Sequence, residues 1–552
     1  MRTRPRLTTG AVVALGALLA VVASRPGSPF TPPLYAGAGA PGWLRGPADL
    51  LGLDHLSREA VAVVGGVVVF ALVGAFLFAL RAAWRGEISI RTVLLVAVVL
   101  HLLAVAMPLF LSRDAYSYAI YGRMVSTHGV NPYVEVPAAF PTDPTYPLVS
   151  VDWIDSKSVY GPAFTAVAAG VTAVVSSPAG IVLAFKALAA IASLATVLLV
   201  VPAARRMMPA RVAFAAMLVG WNPVVVFHGV AGGHNDALLG LAVAAGVVAL
   251  VARRAHLGTA FLSLGTLVKV SGGVPLLMAV AGAVAGRPAG QRLRTALRHV
   301  AVAAVVALPF VVPFMQTEDP TLGTLELTTR EGWLAPSRFV LQTLRAAARA
   351  VGGDPAGDLV SIVVRAVFPL LFLWVLVGTV RHLARRPGRI EPPLIVAAMA
   401  WVGLVSLLVS PVLLPWYAAW VIPMAWILPR PARGGVVLLS MALAVTELVA
   451  EPSRSPGVYE AMVFGLHWVA TPAVLLVLIR LVVELRRRFA AGPGEGMDDP
   501  LLAEDLGGSA AGGQRVPGQG EHQDGGERAA AAGRHPGPIG PDRPQDDRRD
   551  PG

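Results

Sequence analysis

Apolar residues dominate this chain in long unbroken runs, not in alternating or one-faced patterns. Runs of roughly 17–22 residues recur from end to end, the length that spans a bilayer core. Those runs and several shorter ones fall near 8–24, 59–81, 92–111, 181–202, 211–228, 236–252, 257–270, 272–286, 299–315, 359–380, 394–410, 416–429, 434–449 and 461–482. A run that is apolar on every side can only be buried in protein or lipid. In lipid, the helix satisfies its own backbone groups. The pattern therefore predicts an all-α, polytopic integral membrane protein with about 14 transmembrane helices.

Charge orients the spans. Arginines gather at Arg2, Arg4 and Arg6, at Arg81 and Arg85, at Arg205 and Arg206, at Arg253 and Arg254, and at 287–298, 381–389, 430–433 and 486–488. Basic loops mark the cytoplasmic side, and these clusters fall on one side if the Gly-rich run 162–177 does not cross. That run is read as a juxtamembrane or re-entrant helix in a large outer loop. The first span lacks a small-x-small cleavage site before Arg25 and is read as a retained anchor, not a signal peptide. The expectation is a multi-pass plasma (inner) membrane protein with both termini cytoplasmic and outer loops at 25–58, 112–161 and 316–358. It divides into an N-terminal anchor helix and outer loop (1–58), a membrane body (59–489) and a cytoplasmic tail (490–552). The tail is rich in Gly, Pro, Asp and Arg, has no Phe, Trp or Tyr, and is predicted disordered.

Composition sharpens this picture. The chain is 55% hydrophobic and 14% charged, with a mean hydropathy of +0.66, too apolar for a soluble protein of 552 residues. The net charge of +12 resides in inter-span clusters, so nucleic acid is not the expected partner. The lack of cysteine excludes disulfides, thiolate zinc sites and cysteine nucleophiles. No Walker loop, Rossmann glycine pattern, HExxH or Asp-x-Asp motif occurs. An ATP-driven pump or a nucleotide-sugar enzyme therefore has no support.

The polar residues worth explaining lie in the expected outer loops. Asp114, within Ser112-Arg113-Asp114-Ala115-Tyr116, sits at a helix mouth. It can be a general base for a hydroxyl nucleophile, or either it or Ser112 can cap the following helix. Tyr116, Tyr118, Tyr121 and Tyr133 can stack on sugar rings or form an interfacial aromatic belt. Arg113 and Arg123 can bind phosphate or anchor the chain at head groups. In Gly232-Gly233-His234-Asn235-Asp236, Asn235 and Asp236 can cap a helix or orient substrate. His234 with Asp236 supplies too few ligands to define a metal site. The sequence points to no particular cofactor, and a divalent cation stays open. Lys269 is a charge within an apolar run and can meet a phosphate or snorkel. The segment from Ser410 to Tyr417 can be a substrate contact or a proline-broken interfacial turn. Arg330, Glu331 and Arg338 can contact phosphate or pair with one another.

Taken in order, Arg113-Asp114-Ala115-Tyr116-Ser117-Tyr118, Tyr121-Gly122-Arg123, Gly129-Val130-Asn131-Pro132-Tyr133, Tyr160-Gly161-Pro162, Gly233-His234-Asn235-Asp236-Ala237-Leu238 and Leu267-Val268-Lys269 resemble the GT-C fold polyprenol-phosphate-mannose-dependent alpha-1,6-mannosyltransferases of actinobacteria. The resemblance covers about 60–480. It implies a membrane glycosyltransferase that moves mannose from a polyprenyl-phosphate sugar donor to a lipid-anchored mannan or lipoglycan acceptor, outside the cytoplasm and with inversion. It implies Asp114 as catalytic base and Asp236 as a second acidic position. Arg113, Tyr116, Tyr118, Tyr121, Arg123, Asn131, Tyr133, Tyr160, His234, Asn235, Lys269 and Arg338 would then be substrate-binding candidates. A transferase for another lipid-phosphate sugar is the nearest alternative. A secondary transporter or lipid flippase is the alternative from another class, disfavoured because the acids gather in outer loops and not at the bilayer midplane.

Overall fold

A computed structural model describes residues 3–32, 42–316, 335–386, 388–450, 455–492 and 499–502. Arg330, Glu331 and most of the tail lie outside these residues. The described residues are helical, with no strand among them. The helices are α1 (Thr3–Ala23), α2 (Gly42–Leu50), α3 (Arg58–Trp84), α4 (Ile90–Ala106), α5 (Asp114–Ser126), α6 (Pro162–Val174), α7 (Pro178–Met207), α8 (Val212–Gly220), α9 (Asp236–Val251), α10 (Ala255–Val268), α11 (Gly273–Ala285), α12 (Ala289–Val311), α13 (Pro336–Ala384), α14 (Pro392–Val409), α15 (Arg430–Ala444), α16 (Pro456–Gly465) and α17 (Thr471–Ala491).

Local sequence sets many of the starts. Ser57, Ser89 and Ser177 cap α3, α4 and α7, each accepting a backbone N–H two or three residues into its helix. Prolines open α6, α7, α13 and α14, where a missing N–H costs nothing. The core is built by α9 against α7 and α10, α1 against α3, and α5 against α6. Trp221, Trp401, Trp420 and Trp426 are fully buried within it.

The all-α membrane architecture matches expectation. Among the described residues, eight helical segments are long and apolar enough to cross a bilayer by length and composition. A count of about fourteen needs shorter helices to complete crossings as well. Several expected spans are short helices: α4 has 17 residues, α9 16, α10 14 and α11 13. The run 416–429 forms two short 3-10 segments, Pro415–Trp420 and Ile422–Ile427, because Pro415 and Pro423 interrupt it. α6 spans 13 residues, about 20 Å at the helical rise, too short to cross.

Two segments depart from the expected loops. The described part of 316–358 is helical: α13 begins at Pro336 and continues through a break at Gly353, φ +68°. The basic stretch before residue 299 is the first half of α12, not a loop. Within the stretch read as a tail, Asp499 accepts hydrogen bonds from His382 Nε2 at 3.0 Å and Arg386 Nε at 2.9 Å. The Trp401 indole donates to the Leu501 carbonyl at 3.1 Å.

Candidate active site

The site is assembled from three chain segments that meet at one end of the bundle. The first is the turn between α4 and α5. Lys186, buried on α7, donates to the carbonyls of Val105 (3.0 Å) and Met107. A cation there complements the negative end of α4. Phe110 N donates to Ala231 O at 3.2 Å, and Leu111 N to Phe30 O at 2.8 Å. Leu111 lies at φ +62°, a left-handed conformation uncommon for a residue with a side chain. Such strain persists where surrounding bonds over-determine it, and here the neighbouring elements supply them. The turn delivers Ser112, whose Oγ accepts the N–H of Asp114 at 3.1 Å. Ser112 therefore does the capping, and the Asp114 carboxylate, on the first residue of α5, is not used for it.

The second segment leads into α9. Residues Val224–Ala231 form a π-helical stretch, a wider winding that often re-aims side chains at functional sites. Gly233, at φ +68°, turns the chain where a side chain would be strained. Asn235 occupies the N-cap position of α9 without a side-chain cap bond. Its Oδ1 instead lies 3.4 Å from the Tyr118 hydroxyl. His234 Nδ1 lies 3.4 Å from the same hydroxyl and 3.5 Å from Asp114 Oδ2. One histidine thus joins the two acidic segments. Asp236 is fully buried, with Lys269 Nζ 2.9 Å from both of its oxygens. The Lys269 ammonium also stands 3.7 Å from the centre of the Tyr417 ring, a cation–π contact. Trp416 stacks on His234 with centroids 3.6 Å apart.

The third segment is Tyr160-Gly161-Pro162. Gly161 N donates to Val268 O at 3.1 Å, beside Lys269. A Cβ on Gly161 would lie 2.1 Å from Leu267 O, so only glycine permits this approach. The Tyr160 ring meets Tyr118 edge-on at 4.8 Å. Burial first, then the charge of Asp114, holds the Tyr160 phenol well above its usual range. Burial and the charges of Asp114 and Asp236 do the same for Tyr118. Burial pushes Tyr116 up to about 12 against the opposing pull of Arg113. These phenols stay neutral: they can donate hydrogen bonds but cannot serve as bases.

The other sequence candidates are placed differently. Arg123 pairs with Asp143 at 2.8 Å. The Tyr121 hydroxyl donates to Ser156 O at 2.8 Å, and that of Tyr133 to Tyr160 O at 2.6 Å. Asn131 accepts from Tyr133 N at 3.0 Å and donates to Phe314 O at 3.2 Å. These contacts shape the outer loop around the cluster. Arg338 stands near the start of α13, its charge close to Tyr459.

Sequence reading passed over Lys186, His228 and Glu447. Glu447 follows α15, its Oε2 4.0 Å from His228 Nδ1. No motif marks it, although an acid within the apolar run 434–449 is a usable signal. Among the described residues, the buried atoms His234 Nε2, Asn235 Nδ2 and Trp416 Nε1 have no hydrogen-bond partner. Buried polar groups are rarely left so, and these three lie on His234, which reaches Asp114, on its neighbour Asn235, and on Trp416, which stacks on it. No group of three or more His, Asp or Glu side chains among the described residues is arranged to hold a metal ion.

Residues 33–287 match the profile of the alpha-(1->6)-mannopyranosyltransferase family, N-terminal domain. That region is similar to the family's N-terminal domain. All three segments of the candidate site, from Asp114 through Tyr160 and Asp236 to Lys269, fall within the matched region. Trp416, Tyr417 and Glu447 join it from beyond. A protein of Mycobacterium tuberculosis named alpha-(1->6)-mannopyranosyltransferase A is 26% identical over 386 residues, covering 68% of this chain and 71% of its own. One of the same name from Corynebacterium glutamicum is 28% identical over 253 residues, 44% of this chain. The match spans about half the length of that second relative, 51%. No solved structure matches the chain.

Proposed function

We propose that the protein is a mannosyltransferase that moves mannose from a polyprenyl-phosphate donor to a lipid-anchored glycan acceptor in alpha-1,6 linkage, with Asp114 as general base. The contrast between the two carboxylates carries this reading. Asp236 is sealed, its side chain 1% exposed and locked by Lys269. Asp114 is 21% exposed, and among the described residues its carboxylate has a single long contact, with His234 at 3.5 Å. A base must be reachable by the hydroxyl it deprotonates, and Asp114 is the reachable one. It stands at the start of α5, in the positive field of the helix end.

In the proposed step, the acceptor hydroxyl oxygen attacks the anomeric carbon while its proton passes to Asp114. The bond from that carbon to the phosphate oxygen breaks, and the polyprenyl phosphate leaves with the electron pair. In-line attack inverts a beta-linked donor to an alpha product. Lys269 and Arg113 stabilise the departing phosphate. His234 Nε2, Asn235 Nδ2 and Trp416 Nε1 are donors or acceptors for sugar hydroxyls. The basic loops favour the opposite end of the bundle as cytoplasmic, so the reaction belongs to the extracytoplasmic face of the plasma membrane.

Asp114→Asn keeps the shape and removes the base. Purified variant should lose about 10²–10⁴-fold in mannosyl transfer at unchanged abundance and melting temperature. Wild-type turnover in that variant would remove Asp114 from the reaction. Turnover with polyprenyl-phosphate glucose or arabinose, but not mannose, would reassign the donor.

A further inference from the structure

At the end of the bundle opposite Asp114, the chain forms a second, cationic cavity. α9 carries Asp236 at its start, and its other end, 16 residues on, lies about 24 Å away. There, Leu250 and Arg253 meet the beginnings of α10, α12 and α14 and the end of α11 around a cavity of about 270 Å³. Arg287, Arg294, Arg298 and Arg389 line it together with His256 and His299, and no Asp or Glu is among its lining residues. The fifth lining arginine, Arg253, is already paired with Glu391 at 2.9 Å. No carboxylate ion pair engages the other four among the described residues.

The cluster is built into packed structure. His299 is buried, its Nδ1 lies 2.6 Å from Thr259 Oγ1, and its ring lies 4.6 Å from that of His256. This fixes α12 against α10. On α12, Arg294 and Arg298 stand one helical turn apart and face the cavity. Leu293, Leu297 and Val300 beside them are 71%, 58% and 59% exposed. One helix therefore offers guanidinium groups to a head group and an apolar stripe to acyl chains. Four like charges around a small cavity repel one another unless they share an anion. Guanidinium groups match phosphate oxygens in geometry, and basic pockets between membrane helices on the cytoplasmic side hold anionic head groups. The volume suits a head group and not a whole lipid.

We infer that this cavity binds the phosphate of an anionic phospholipid in the leaflet opposite the Asp114 site. Soluble phosphate shares the recognition chemistry, so the experiment separates the two sources. Purified protein in neutral-detergent micelles is offered phosphatidylglycerol or phosphatidylcholine, and bound lipid is read by native mass spectrometry. In a parallel arm, inorganic pyrophosphate is titrated against thermal unfolding. Phosphatidylglycerol should be retained over phosphatidylcholine. Arg294→Gln/Arg298→Gln should weaken retention by about 30-fold, the loss expected for two arginine contacts at a membrane surface. Arg205→Gln/Arg206→Gln, on exposed residues at the end of α7, should not. If that double variant of the cavity does not fold, Arg389→Gln replaces it. Protection by pyrophosphate alone, lost in the cavity variant, assigns the site to a soluble phosphate and overturns the lipid. Undiminished lipid retention in the cavity variant, or an equal loss in both double variants, overturns the site, since bulk surface charge then explains the binding.

Discussion

The buried pair of Lys269 and Asp236 offers a sharp quantitative test. With Nζ 2.9 Å from both carboxylate oxygens, the Coulomb attraction at an effective dielectric constant near 20 is about 6 kcal/mol. Desolvation of two charges offsets most of it, so the intact pair contributes little net stability. Breaking it is another matter. Lys269→Met leaves Asp236 fully buried and uncompensated, which should cost about 3–5 kcal/mol. Asp236→Asn/Lys269→Met leaves no buried charge and should recover about 2–3 kcal/mol of that loss, a coupling readable in a double-mutant cycle. Thermal unfolding of the purified proteins in one detergent gives the cycle. Mannosyl transfer by the same samples separates two roles. If Lys269 only neutralises Asp236, the double variant regains activity with its stability. If Lys269 also stabilises the leaving phosphate, the double variant folds and stays inactive, which is the expected result. A Lys269→Met protein within about 1 kcal/mol of wild type would refute the buried-pair reasoning.

Three further outcomes follow from the same geometry. Gly161→Ala places a methyl 2.1 Å from Leu267 O. It should force the Tyr160 segment off Lys269 and abolish transfer in protein that still inserts, as checked by activity per folded molecule. Trp416→Ala removes the stack on His234 and should raise the acceptor KM up to roughly tenfold with a smaller change in kcat, read from steady-state kinetics. Burial raises the Asp143 carboxyl, but Thr145, His128 and Arg123 outweigh it and hold it below 3.8. Its stabilisation of the 127–160 loop is therefore present above the usual carboxylate range and lost as pH falls through the depressed value. Asp143→Asn should show rapid proteolysis of that loop already at pH 7 and a flatter acid limb of thermal stability than wild type.

Sequence carried the helical membrane architecture because a helix that is apolar on all sides has few other homes. It also carried Asp114, Asp236 and Lys269, since an acid at a helix mouth or a cation in an apolar run needs a reason. What it could not resolve was which of two adjacent residues does which job. Ser112 and Asp114 were equal capping candidates, and only the 3.1 Å contact to the Asp114 N–H divides the roles. Long-range partners were equally hidden: Lys186 reads as one more residue of an apolar span until α4 ends against it. Trp416 reads as an interfacial aromatic until it lies on His234, 182 positions away in the chain. The π-helical turn before Gly232 has no sequence signature, because it arises where packing forces an extra residue into a turn. The helix over 336–352 was masked by Gly353 and Pro355, which read as loop but only break α13.

The arrangement also explains how one short sequence signature can hold two acids in different states. Asp114 and Asp236 each begin a helix, so each sits in a positive end field, yet their surroundings differ. The α9 acid is bound through both oxygens by the Lys269 ammonium, which stands against the Tyr417 ring and fixes its place. The α5 acid keeps part of its surface open and, among the described residues, leans on His234. His234 and Asn235 lie between them and share the Tyr118 hydroxyl, so a shift of either helix start moves the same hydrogen bonds. Environments that separate two carboxylates in this way allow one to do chemistry while the other holds the site in shape. The left-handed turn at Leu111 sets the start of α5, and the close fit of Gly161 against Leu267 sets the Tyr160 segment beside Lys269, so both act on the surroundings of the two acids.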